Sequence, residues 1–80
     1  MDIVLERSGG KLIGIEIKAS ASVGEADFRG LVQLAAFVGD RLEAGLVFYS
    51  GEQVLPFRME GRQFFAVPIS LLLALPCHSV

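Results

Sequence analysis

Eighty residues, 52% of them apolar and 20% charged, exclude a disordered or fibrous chain and allow one small domain, read here as residues 1–80. A domain of that size buries only about 60% of the surface its unfolded chain exposes, so its core is thin. The formal net charge of −2 argues against the broad basic surface of an autonomous nucleic-acid binder, so any contact with DNA or RNA would lack most of the usual electrostatic help.

Asp2-Ile3-Val4-Leu5-Glu6-Arg7 alternates and is rich in β formers, Ser8-Gly9-Gly10 interrupts it, and Lys11 to Lys18 alternates again. The pattern predicts a hairpin with a three-residue loop, built from a type I turn followed by a left-handed Gly10. That loop pairs Arg7 with Lys11 and so places Asp2 opposite Glu16. A two-residue loop would shift the register by one and turn Asp2 among the isoleucines, burying a carboxylate. On the second strand Leu12, Gly14, Glu16 and Lys18 share one face. Ile13, Ile15 and Ile17 share the other, which is expected to be the core side.

Ser22-Val23-Gly24-Glu25 fits a capping box and predicts a helix start. Phe28, Leu31, Val32, Ala35 and Val38 recur at helical spacing up to Gly39, a plausible stop, and Arg29, Gln33 and Phe37 fall on another stripe. Leu46 to Tyr49 reads as a buried strand. Strands from Gln53 to Arg58 and from Arg62 to Val67 follow, joined by a Glu60-Gly61 turn. Pro68 can open a short helix, Ile69 to Leu75, which Pro76 ends. The order strand, strand, helix, strand makes the second and third strands parallel neighbours, with the helix expected on the isoleucine side. The fold class is therefore α/β (α+β), a small mixed sheet with one main helix, a C-terminal hairpin and a short terminal helix.

The run Ile69 to Leu75 is far shorter than the roughly 20 residues of a membrane span. The N-terminus lacks the basic and apolar regions of a secretory signal, which makes a cytoplasmic address the expectation. Cys77 and His78 are the single cysteine and histidine. They allow no internal disulfide, and a metal site there would need further ligands.

Two carboxylates facing each other across a hairpin raise each other's pKa unless a cation lies between them. Mg²⁺ or Mn²⁺ is one resolution, held by Asp2, Glu16 and a backbone carbonyl such as that of Ile17, with Lys18 within reach of an attacking water or a phosphate. On composition alone the same trio is a solvated surface, where exposed ion pairs contribute about 0–1 kcal/mol. Arg29 and Gln33 are weaker candidates for contact with nucleic acid; their ordinary reading is a solvated helix face. Tyr49, Phe64 and Phe65 could stack on bases but are read as core.

Asp2 followed by Glu16-Ile17-Lys18, on a hairpin leading into a helix and a parallel strand, resembles the PD-(D/E)XK nuclease superfamily and its restriction-endonuclease-like β-β-α-β core. The resemblance implies that Asp2 and Glu16 hold the divalent metal and that Lys18 positions the attacking water, making all three catalytic. Gln33 with Phe37 resembles the Gln-x-x-x-Tyr helix motif of RecB-like members, with Phe37 lacking the hydroxyl. More narrowly, "DIVLE", "GIEIKAS", "ADFRGL", "GDR" and "VLPF…AVPIS", taken in order, are similar to the C-terminal DUF4143 region of bacterial and archaeal AAA-type ATPases. No phosphate-loop motif occurs, so nucleotide binding is not implied.

The superfamily core begins with a helix and a strand ahead of the hairpin, so the chain is expected to be a fragment lacking them. An edge at Ile3-Val4-Leu5 then invites a homo-oligomer, through that edge or the C-terminal helix. Two functions follow from the resemblance: a metal-dependent phosphodiesterase acting on DNA, or a catalytically silent interaction module of a parent ATPase.

Overall fold

The computed structural model of the chain describes residues 2–73, with side chains for residues 3–72. Strand β1 (Asp2–Glu6) turns back into β2 (Leu12–Ile17), and a 3₁₀ turn (Glu25–Phe28) leads into helix α1 (Arg29–Val38). A second 3₁₀ turn (Gly39–Arg41) precedes β3 (Leu42–Tyr49), β4 (Leu55–Met59), β5 (Arg62–Pro68) and the short helix α2 (Ile69–Leu73). The five strands form one sheet in the order β1-β2-β3-β5-β4. The outer pairs are antiparallel hairpins, and the inner strands β2, β3 and β5 run parallel. This is the mixed α+β architecture expected from the alternating and helical periodicities. The predicted extension of the last helix to Leu75 and Pro76, and the Cys77-His78 pair, lie outside the described residues.

The three-residue loop is borne out. Arg7 donates its N–H to the Lys11 carbonyl at 2.7 Å, and Asp2 pairs with Glu16, Val4 with Gly14 and Glu6 with Leu12. The turn itself differs from the expected type I. Gly10 N–H reaches the Arg7 carbonyl, and Gly9, the third residue of that turn, has φ +91°. A positive φ at that position belongs to a type II turn, which a second glycine makes accessible. The Glu60-Gly61 turn joins β4 to β5 with φ of +53° and +74°, the signature of type I′. Glu60 therefore holds a left-handed conformation in which Asn or Gly is the usual occupant.

The helix sits on the opposite face of the sheet from the one its isoleucines suggest. Leu12 is buried, Gly14 has Leu31 and Leu34 of α1 packed over it, and Ile17 is 46% exposed on the other side. From Leu12 to Ile15 both faces of β2 are apolar or small, with Glu16 only near the strand's end, so hydrophobicity does not choose between them. Shape does. Gly14 and Gly45 are partners across the β2–β3 ladder, and together they leave a hollow that the Leu31 side chain fills. The row of β-branched isoleucines offers no such approach.

The core forms on that helix face from Phe28, Leu31, Ala35, Leu42, Val47 and Phe64, with Leu55, Phe57 and Met59 packed against it. Gly39, at φ +62°, ends α1 as expected by returning its N–H to the Ala35 carbonyl. Arg62 then secures the exit from the helix, donating to the carbonyls of Gly39 and Leu42. At the same end of the sheet Arg41 donates to the Gly10 carbonyl, Lys11 to that of Asp40, and Arg7 pairs with Glu43. These contacts tie the first hairpin loop to the connection between α1 and β3.

Candidate functional site

Glu16 and Lys18 lie at the carboxyl end of β2, on the face that carries the helix. Glu16 is half-buried, beside Val47 and in register with Asp2. Lys18 continues the parallel ladder by donating its backbone N–H to the Phe48 carbonyl at 2.8 Å. Because the C=O and N–H of one trans peptide group point opposite ways, the Ile17 carbonyl then faces β1, the side on which Asp2 stands. The outward ends of parallel strands are where α/β sheets place their ligands, and this end holds the trio.

The Lys18 side chain is already engaged. Its Nζ lies 2.7 Å from Asp27 Oδ2, in the 3₁₀ turn that opens the helix. The same Asp27 oxygen accepts the Gly24 backbone N–H at 2.8 Å, while Asp27 N–H returns to the Gly24 carbonyl. The helix entry is thus closed by Gly24 and Asp27, two residues beyond the expected box of Ser22 and Glu25. Ser22 instead bonds within its own side of the loop, donating its N–H to Ser20 Oγ, and both it and Glu25 are exposed. One carboxylate here serves a helix donor and an ammonium together, which Glu25 on the outer side of the turn does not. The signal was present in the sequence: glycine is an accepted N-cap, and Asp27 stands three residues after it.

The hydrogen bond from Lys18, then that from the Gly24 N–H, hold the Asp27 carboxyl below the usual carboxylate range against the opposing effect of burial. A depressed carboxylate stabilises the fold in full above its unfolded-chain value near ~4, and the contribution disappears as pH falls from there through the lowered folded value. Asp27→Asn is therefore expected to lower stability by about 1 kcal/mol near neutral pH, with the difference from the native chain closing in acid. Thermal melts of both chains across the acid range check this; a gap that stays constant with pH would remove the assignment.

Arg29, Gln33 and Phe37 share the exposed stripe of α1, as the periodicity predicts, and Phe37 is 88% exposed. Lys18 pairs with Asp27 rather than with a residue of that stripe. Among the described residues no three His, Cys, Asp or Glu side chains gather at metal-ligand spacing, and the Asp2 side chain is not among those described. Tyr49 and Phe64 are core residues, the former donating its hydroxyl to the Gln53 carbonyl, whereas Phe65 is 39% exposed on the far face.

The family described as "Domain of unknown function (DUF4143)" matches residues 1–72. The chain belongs to the DUF4143 family. No curated protein and no solved structure matches it. Among the described residues of this DUF4143 chain no helix is long and apolar enough to cross a membrane.

Proposed function

We propose that this DUF4143 chain is a PD-(D/E)XK-like sheet that binds a divalent cation at Asp2 and Glu16 and acts on a phosphodiester bond of DNA, as the C-terminal part of an AAA-type ATPase. The observation that carries this reading is the register: Asp2 stands directly opposite Glu16, with Lys18 two residues on and on the same face. The donor set fits Mg²⁺ or Mn²⁺, which take hard oxygen ligands and are commonly held by one or two carboxylates with retained waters. Asp2, Glu16 and the Ile17 carbonyl would hold the ion. When bound, it supplies Lewis-acid stabilisation of charge developing on a phosphoryl oxygen. Lys18 donates a hydrogen bond that orients the attacking water, and Asp27 holds the ammonium at the strand end from which it does so. Arg29 and Gln33, on the exposed helix stripe, are the residues available to a nucleic-acid strand.

Calorimetric titration of Mn²⁺ tests the site without relying on turnover. Binding is expected in the native chain, lost in Glu16→Ala and in Asp2→Ala, and kept in Lys18→Ala. Cleavage of single- or double-stranded DNA is expected to vanish in Lys18→Ala with the circular dichroism spectrum unchanged. No binding in the native chain sinks the metal reading, and cleavage that survives Lys18→Ala removes the lysine from it.

A second reading, the catalytically silent interaction module of the parent ATPase, draws on the Lys18–Asp27 pair. An ammonium held by a carboxylate has a structural task of its own, clasping the strand end to the helix entry. Absence of Mn²⁺ binding in every variant selects this reading.

A further inference from the structure

Asp27 Oδ2 takes two donors at once, the Lys18 ammonium at 2.7 Å and the Gly24 backbone N–H at 2.8 Å. Both ends of this contact are anchored in the backbone. Asp27 N–H returns to the Gly24 carbonyl at 3.0 Å, and Lys18 N–H is tied to the Phe48 carbonyl at 2.8 Å. A lysine head on its flexible four-carbon stem samples many positions when nothing holds it. Here it is held. The two side chains are 31% and 23% exposed, so water and salt weaken their attraction less than at an open surface.

An ammonium carries three N–H donors, and Asp27 occupies one. Charge decides what the other two can hold. A water oxygen is neutral and accepts from a paired ammonium without electrostatic penalty. A phosphodiester oxygen is anionic, and at Lys18 it would meet an ammonium whose charge is already offset, with a carboxylate beside it. The Gly24 N–H keeps that carboxylate from swinging aside. The turn it belongs to, Glu25-Ala26-Asp27-Phe28, carries two carboxylates and no cation, and Arg29 follows on the exposed stripe of α1. A phosphate is therefore disfavoured at Lys18, and a water is not.

Building on the cation-site reading above, and resting on it, we propose that Asp27 is a positioning residue that reserves Lys18 for the attacking water and keeps it from capturing the phosphate. It acts through the ammonium alone. Removing its charge frees Lys18 to bind phosphate in the ground state, which tightens substrate binding while the water loses its fixed donor. Asp27→Asn makes that change with little else, since the amide keeps an oxygen for the Gly24 N–H and nearly the same shape. Asp27→Glu keeps the charge on a stem one methylene longer.

The test is steady-state cleavage of single-stranded and duplex DNA oligonucleotides with Mn²⁺ by the native chain and both variants, with circular dichroism to confirm folding at the assay temperature. Asp27→Asn is expected to lower kcat at least ~10-fold, the scale of a misplaced catalytic donor, and to lower KM as well. Asp27→Glu is expected to hold KM near the native value. Unchanged kcat and KM in Asp27→Asn overturn the proposal, since a merely structural clasp alters melting alone. A KM that rises overturns it too, because Asp27 would then assist phosphate binding. Calorimetric titration of Mn²⁺ keeps the two failures apart. A native chain that binds Mn²⁺ and cleaves DNA, without this split in Asp27→Asn, removes the role of Asp27 and keeps the site. One that binds Mn²⁺ without cleaving has no water for Lys18 to orient and overturns the proposal, with the cation site standing. Absence of Mn²⁺ binding removes both.

Discussion

Phe28→Ala is expected to lower the unfolding free energy by about 3–5 kcal/mol, the range for truncating a fully buried phenylalanine. The side chain is 0% exposed and its ring lies 4.6 Å from that of Phe57 and 5.8 Å from that of Phe64. It therefore joins the entry of α1 to the β4–β5 hairpin, two parts of the chain with no other aromatic contact among the described residues. A domain of this length holds only about 4–12 kcal/mol in total, so the loss takes from about a quarter of it to the whole. Urea denaturation gives the measurement: the midpoint should fall steeply with little change of slope. A loss below about 1 kcal/mol would show that the neighbouring rings collapse into the space, and that this part of the core is far less tightly packed than the ring distances imply.

Gly45→Ala is expected to destabilise the fold by about 1–3 kcal/mol, at the upper end of that range. A Cβ at this position would stand 2.5 Å and 2.7 Å from two ring carbons of Phe64. Phe64 is 1% exposed and backed by Phe28, so its ring yields only by displacing a second buried ring. The stiffer alanine backbone recovers about 0.4–1 kcal/mol through the unfolded state, too little to reverse the sign. Gly14→Ala makes the control. Its Cβ would meet the methyl ends of Leu31 and Leu34 at 2.7 Å and 3.1 Å, groups that can rotate, so a smaller cost is expected. Equal losses at the two glycines, measured by the same denaturation series, would refute the account of a hollow bounded by an immovable ring.

Much of the first hairpin was legible because its information is local. A glycine pair at Gly9-Gly10 and strict alternation on either side determine a register, and the register alone brings Asp2 opposite Glu16. The run of helical spacing up to Gly39 and the turn at Glu60-Gly61 are legible for the same reason. The helix entry was misread by two residues because Ser22 and Asp27 are both competent cappers. What separates them is Lys18, nine positions earlier, whose ammonium lies where only Asp27 can meet it. The choice of sheet face was misread because isoleucine content measures hydrophobicity, and both faces of β2 are sufficiently apolar.

By itself, then, the sequence determined the order and type of the elements, the pairing of the first two strands and the presence of two carboxylates and a lysine at one strand end. These depend on backbone preferences and side-chain alternation over a few residues. Only the tertiary structure decided that α1 lies over Gly14 and Gly45, that Asp27 holds Lys18, and that the isoleucine face lies away from the helix. Each of those outcomes rests on the fit between residues distant in the chain, where close packing selects by shape among arrangements that hydrophobicity leaves equal.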